Sequence, residues 1–147
     1  MLKQLLQAIM VLLALCSLNT HGQQSERFDQ YELHHSVVYT TFLSAEIAAR
    51  YGIVRGHDKA MLTLSVRDAD AEEIAGMPME ISGQTWDLIQ SQTLALQEIR
   101  EGRATYYIAP FEFIDREWRF FEFDFKPAGS EKRYRYKFKT QLWKQDP

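Results

Sequence analysis

Cysteine is all but missing from this chain: Cys16 is the only one in 147 residues. That excludes an intrachain disulfide and a zinc site built on cysteines. Long apolar runs are missing too. The longest, Leu5 to Leu15, is apolar except for Gln7, whereas a helix that spans a bilayer needs about 20 apolar residues. Glycine and proline are sparse, 7 and 4, and no Gly- or Pro-rich linker, internal repeat or low-complexity tract interrupts the sequence. Neither charge sign dominates. The formal net charge of −3 argues against nucleic acid and against a polybasic membrane contact.

What is present begins with a leader. Met1-Leu2-Lys3 carries its only charge, the apolar run follows, and Ser17 to Gly22 forms a short polar stretch. These are the three regions of a secretory signal peptide. The reading is a cleaved segment, 1–22, and one mature domain, 23–147, located in the periplasm. The cut is placed after Gly22, with Cys16 as the alternative. Acylation of Cys16 is disfavoured, because Leu15 stands where a lipoprotein signal needs Gly, Ala or Ser. Removing 22 of the 147 residues leaves a thiol-free chain long enough for one core. Its stability has to come from packing alone.

Alternation dominates that chain. Tyr31, Leu33, His35, Val37 and Tyr39 alternate with polar residues, as do Ala60, Leu62, Leu64 and Val66, and this is the period of a half-buried strand. Between them one short helix is expected over about 44–51. Ser44 caps it, Glu46 sits at its positive end, and Gly52 follows as the left-handed C′ residue. A third strand is read from Met79 to Ile89, with a phase shift at Gly83 taken as a bulge or bend. A weaker strand spans Thr93 to Ile99. Another covers Thr105 to Phe113, where Pro110 points to a sheet edge or a bulge.

The last hairpin is the clearest element. Phe121, Phe123 and Phe125 alternate with Phe120, Glu122 and Asp124, while Tyr134, Tyr136 and Phe138 alternate with Arg135, Lys137 and Lys139. One register satisfies both faces. It sets Phe125 opposite Tyr134, Phe123 opposite Tyr136, Phe121 opposite Phe138, Asp124 opposite Arg135 and Glu122 opposite Lys137. About seven strands and one helix predict an all-β, immunoglobulin-like antiparallel sandwich, with a small β-barrel as the alternative.

Chemistry-bearing patterns are few. His34 and His35 are adjacent and point to opposite faces of a strand, so at most one could join His57 in a metal site. Asp68, Asp70 and Glu72 start like a calcium loop, but its sixth and twelfth places hold Glu73 and Met79 instead of Gly and Glu. The Gly-x-Ser-x-Gly elbow and the His-Glu-x-x-His pair are both absent. No catalytic residue and no cofactor is assigned. The surplus of aromatics marks Tyr106, Tyr107, Pro110, Trp118 and Trp143 as a candidate interaction surface.

Two stretches carry a resemblance. Phe42 to Arg55 reads FLSAEIAARYGIVR, and Glu98 to Gly102 is followed by Tyr106-Tyr107-Ile108-Ala109-Pro110-Phe111. Together with the leader and the length they resemble the exported proteins of Gram-negative bacteria grouped as domain of unknown function 4426. Gly56 departs from the family pattern, in which Ser follows the arginine. The resemblance implies a periplasmic address and no known activity, cofactor or catalytic residue. Ser44, Tyr51, Gly52 and Arg55 are read as structural, with Tyr51 and Arg55 fixing the helix to the sheet end. The leading expectation is a non-enzymatic binding or accessory module with an envelope protein as partner. The alternatives are a small envelope enzyme or a lipid- or glycan-binding carrier, and more weakly a metal-binding protein using His34 or His35 with His57.

Overall fold

The computed structural model describes residues 24–72 and 75–145. The expected leader, with Cys16, lies outside the described residues. Among the described residues, nine strands form two antiparallel sheets. In chain order they are β1 (Gln24–Phe28), β2 (Tyr31–Tyr39), β3 (Lys59–Asp68), β4 (Met79–Trp86), β5 (Ser91–Thr93), β6 (Gln97–Glu101), β7 (Ala104–Glu112), β8 (Trp118–Pro127) and β9 (Tyr134–Gln141). One sheet has the order β1-β2-β3-β7-β6 and the other β5-β4-β8-β9. This is the expected sandwich and not a barrel.

The core lies between the sheets and is filled. Leu33, Leu62, Leu64, Val66, Phe121, Phe123 and Phe125 are completely buried, each on the inward phase of its strand. Phe111 meets Phe121 edge-on at 5.1 Å, and Phe138 stacks on Phe121 at 4.6 Å. The β8–β9 register is the one that the alternation predicts, from Phe121↔Phe138 to Phe125↔Tyr134. On the outer face of the same hairpin, Asp124 accepts from Arg135 at 2.9 Å and Glu122 pairs with Lys137 at 2.5 Å.

Helix α1 (Ala45–Arg50) begins where the Ser44 side chain accepts from the Ile47 N–H at 3.2 Å. It ends at Gly52, whose φ of +67° suits a residue without a Cβ. Ala48 and Ile53 bury against Ile99 and Ile108, so the helix covers the outer face of the larger sheet.

Four expectations change. A strand precedes the first predicted one: β1 pairs with β2 through a tight turn at Asp29-Gln30. The Thr93–Ile99 strand divides in two, because the chain crosses from β5 in one sheet to β6 in the other. Gly83 marks no bulge. The β4–β8 pairing runs unbroken from Met79↔Pro127 to Trp86↔Phe120, and Trp86 simply faces outward. A Cβ on Gly83 would lie 2.2 Å from Phe123 Cδ1, so the glycine makes room for that ring. Finally, β7 lies between β3 and β6 and is not an edge strand. Pro110 sits past the last β6 pair, Gln97↔Ile108, where its missing N–H has no β6 partner to serve.

Candidate functional site

The strand registers divide the sandwich into two poles. At one, the β1–β2, β6–β7 and β8–β9 turns meet the loop between β3 and β4. At the other, β2, β7 and β9 end while β3 and β8 begin, as the pairs Tyr39↔Ala60, Lys59↔Glu112 and Trp118↔Gln141 require. Six large apolar side chains are exposed among the described residues: Phe42, Val54, Leu88, Ile89, Trp118 and Trp143. All six belong to segments of the second pole. Phe42 follows β2, Val54 precedes β3, Leu88 and Ile89 cap the β4–β5 turn, Trp118 opens β8 and Trp143 follows β9.

These segments are tied to one another by direct contacts. The Tyr39 hydroxyl accepts from the Trp143 N–H at 3.2 Å, and its ring meets Phe42 edge-on at 5.7 Å. Phe113 N–H donates to the Asp58 carbonyl at 3.0 Å, and Arg116 N–H to the Leu142 carbonyl at 2.8 Å. Arg55 donates to the Thr41 carbonyl at 2.9 Å, which joins the chain after the helix to the turn before it. Lys139 places its ammonium 4.7 Å from the centre of the Trp118 ring.

The β4–β5 turn is the most firmly built part of this pole. Asp87 and Arg119 form an ion pair in which both side chains are only 2 % exposed. Asp87 Oδ1 also accepts from the N–H groups of Ile89 and Gln90, at 2.8 and 2.9 Å. Arg119 Nε donates to Thr85 Oγ1 at 2.9 Å, and that hydroxyl donates to the Phe120 carbonyl at 2.8 Å. Burial pushes the Asp87 carboxyl up, but the two backbone N–H groups and Arg119 outweigh it and hold it below the usual range. The turn is therefore fixed from below, and Leu88 and Ile89 stand outward at 87 % and 81 % exposure.

Sequence reasoning missed this pair. The signal was the phase: Arg119 occupies the same inward series as Phe121, Phe123 and Phe125.

The structure scatters the predicted interaction residues. Trp118 and Trp143 share the apolar pole, and Pro110 lies exposed near it, beside a surface groove of about 570 Å³ that also involves Val54 and Glu112. Tyr107 does not join them. It is buried on the inward phase of β7, where its hydroxyl accepts from the Met79 N–H at 2.9 Å and lies 2.8 Å from Glu98 Oε2. Tyr106 faces the other way, half-buried among the residues that pack with the helix. Tyr51 donates to Glu101 at 2.9 Å, which ties the helix to the end of β6.

The histidines are not brought together. His34 is on the outer face of the larger sheet, where its Nε2 accepts from Arg67 at 3.1 Å. His35 points inward, hydrogen-bonded through Nδ1 to the Tyr136 hydroxyl at 2.9 Å and stacked on Phe138 at 3.8 Å. Burial lowers its pKa to about 4 and raises that of Tyr136 to about 12. His57 is exposed at the apolar pole. Among the described residues, no three His, Cys, Asp or Glu side chains gather as a metal cluster.

The family described as domain of unknown function DUF4426 matches residues 25–145. The chain belongs to this family. A crystal structure of a DUF4426 protein from Pseudomonas aeruginosa PAO1 superimposes with a TM-score of 0.73 at 21 % identity, over 87 % of this chain and all of that one. Two structures of FetP from uropathogenic Escherichia coli strain F11 share the fold more distantly. A copper-bound variant gives a TM-score of 0.62 at 9 % identity, covering 83 % of this chain and 95 % of that one. FetP produced in the Escherichia coli periplasm gives 0.60 at 8 % identity, covering 86 % and 100 %. No curated protein matches the chain. No helix among the described residues is long and apolar enough to cross a membrane.

Proposed function

We propose that this DUF4426 protein is a non-enzymatic binding module of the bacterial envelope, exported to the periplasm and docking through its apolar pole. The observation that carries the reading is that Phe42, Val54, Leu88, Ile89, Trp118 and Trp143, the exposed large apolar side chains among the described residues, all belong to segments at one end of the sandwich. Scattered exposed apolar residues are ordinary, whereas their confinement to one end marks an interaction surface. The leader supports the address. The filled space between the sheets argues against a carrier that holds its ligand there. FetP is copper-bound in one structure, but the separate engagements of His34 and His35 here lend the metal reading no support.

The test is a photo-crosslinking residue placed at position 88 or position 131 of the protein in intact cells. Both sites are exposed. Adducts are expected from position 88 and not from position 131. Equal labelling, or none at 88, overturns the reading.

A further inference from the structure

We propose that β9 is a strand-addition site, and that its occupant is an extended, acid-rich segment of a partner protein. The proposal stands apart from the reading of the apolar pole, since it concerns a flank of the sandwich and not its end.

The two flanks differ. On one, the chain crosses from β5 to β6 and joins the sheets. On the other, β1 and β9 end the two sheets, and among the described residues no strand pairs with the free side of either. β9 is the longer, eight residues against five. In an antiparallel ladder, alternate residues bond to a given neighbour. The Ala128 N–H donates to the Pro78 carbonyl in continuation of the β4–β8 register. Even-numbered residues of β8 therefore serve β4, and odd-numbered ones serve β9. Phe121↔Phe138 and Phe123↔Tyr136 are then the bonded pairs. The backbone N–H and C=O groups of Arg135, Lys137 and Lys139 point the other way, to the open flank.

Two other stretches of strand edge carry a block. β4 extends beyond the short β5, and there the Tyr107 hydroxyl takes both backbone groups of Met79, at 2.9 Å from the nitrogen and 2.8 Å from the oxygen. β7 runs past β6, and Pro110 stands there without an N–H. β9 has no such device. It contains no proline, and its pairing with β8 runs without a bulge. Its guard is charge.

That charge selects the occupant. β9 carries Arg135, Lys137 and Lys139 on its outer face and no carboxylate. Residues of an added strand would lie directly opposite them, about 5 Å away between Cβ atoms. The acids of this sheet lie on the far side. Asp124 and Glu122 of β8 are bonded to Arg135 and Lys137, and Glu80 of β4 to Arg133. Lys139 has aromatic neighbours instead, Phe120 across the ladder and the Trp118 ring. At the hairpin end of the flank the charges pair among themselves, Arg27 with Asp70 and Lys132 with Asp29, and Glu131 adds one carboxylate. Acidic residues facing β9 would continue the alternation of sign across the sheet. A second copy of β9 would set cations against cations, which is unfavourable. The inner side differs. There the added strand runs beside Tyr136 and Phe138, and Glu26 of β1 faces the same gap, close enough to act on Tyr136. Apolar residues suit those positions and acids do not. The segment is thus one that alternates acidic and apolar residues.

The test uses two blocked peptides, one alternating valine with glutamate and one alternating valine with lysine, titrated into the isotope-labelled mature protein. The glutamate peptide should bind about tenfold more tightly than the lysine one, and its binding should weaken as salt is added. It should slow amide hydrogen exchange at Arg135, Lys137 and Lys139, while Tyr136 and Phe138, already bonded to β8, change little. Lys137→Pro removes one outward N–H without touching the β8 ladder, and should cost about tenfold in affinity. Lys137→Gln removes the charge, keeps the N–H and should cost less. Equal binding of the two peptides, no binding, or protection elsewhere in the protein overturns the proposal. So does a larger loss in Lys137→Gln than in Lys137→Pro, which would mean attraction by charge without strand addition. Slow exchange at these three amides in the concentrated protein alone would give the edge to a second copy and overturn the choice of occupant. Exchange in the parent decides even where Lys137→Pro fails to fold. No readout involves position 88, so the reading of the apolar pole stands or falls separately.

Discussion

The two poles of this sandwich both carry exposed ion pairs, among them Lys59 with Glu112 and Arg116 with Asp115 at the apolar one, but they differ in what they bury and in the apolar side chains they show. The hairpin pole is closed by exposed polar contacts: Lys132 and the Tyr134 hydroxyl both reach Asp29 at 2.9 Å, and Arg27 reaches Asp70 at 2.9 Å. The apolar pole hides its strongest polar contact, Arg119 with Asp87, and shows leucine, isoleucine and tryptophan to solvent. Folding alone gives no reason for that inversion. Exposed ion pairs add little stability but keep an end soluble. A buried ion pair beneath exposed apolar tips does not keep that end soluble and adds little net stability, and its use here is to hold the shape of the turn. The difference shows which end is built for contact.

The largest expected effect comes from breaking the hidden contact. Arg119→Ala leaves the Asp87 carboxylate buried without its cation, and unfolding free energy should fall by about 3–5 kcal/mol. The measurement is the urea midpoint. Arg119→Met combined with Asp87→Leu should recover part of the loss, because the desolvated charges leave together. A single variant with an unchanged midpoint would mean that the pair is solvated, and the contrast between the poles would fail.

Acid sharpens the comparison next, because it separates the interior from both ends. His35 is neutral when folded, with a pKa near 4, against 6.5 for the free side chain. Above pH 6.5 the ring is neutral in both states and its contribution is complete. As pH falls from 6.5 to about 4, the unfolded chain takes up a proton that the folded core refuses, and up to about 3 kcal/mol of stability is lost. Below pH 4 this loss levels off. Carboxylates held low by their partners, such as Asp87, lose their contribution in a more acidic range, so the two causes separate. His35→Phe should remove the drop between pH 6.5 and 4, as followed by urea titration at several pH values.

Much of this was legible in the sequence, and the parts that were not share a cause. The β8–β9 register could be read because two patterns, aromatic and charged, demand the same pairing. The helix could be read because Ser44 and Gly52 mark its ends. The crossing from β5 to β6 could not, since a change of sheet within Thr93–Ile99 leaves strand propensity unchanged. Arg119 was passed over because a charged residue in an alternating strand is assumed to face water. Only its phase with Phe121 shows that it faces inward, and only tertiary structure supplies Asp87. The gathering of six apolar side chains from five separate segments had no local signal either, since it arises from strand order and register.

A smaller effect is expected midway between the poles, where both depend on the same sheet contact. In Gly83→Ala the new methyl would lie 2.2 Å from Phe123 Cδ1 and 2.9 Å from the Glu122 carbonyl oxygen. The ring can turn aside but the strand backbone cannot, so the substitution should destabilise by about 1–3 kcal/mol. Photo-crosslinking from position 88, in contrast, should be unchanged, because the β4–β5 turn keeps its own anchors. Loss of the adduct from position 88 in this variant would show that the tip depends on the sheet as a whole and not on the Asp87–Arg119 pair.

The smallest effect belongs to the hairpin pole. Asp29 has a φ of +55°, and the Lys132 ammonium, followed by the Tyr134 hydroxyl, holds its carboxyl below the usual range. Asp29→Asn keeps a side chain that tolerates this backbone and removes only the charge. The urea midpoint should move less than in any variant above, and the remaining difference should fade as salt is added. The variant should still give the adduct from position 88, because this end lies opposite the apolar pole. A large loss here, comparable to that of Arg119→Ala, would show that the exposed contacts of this pole carry as much stability as the buried one, and the two ends would no longer differ in kind.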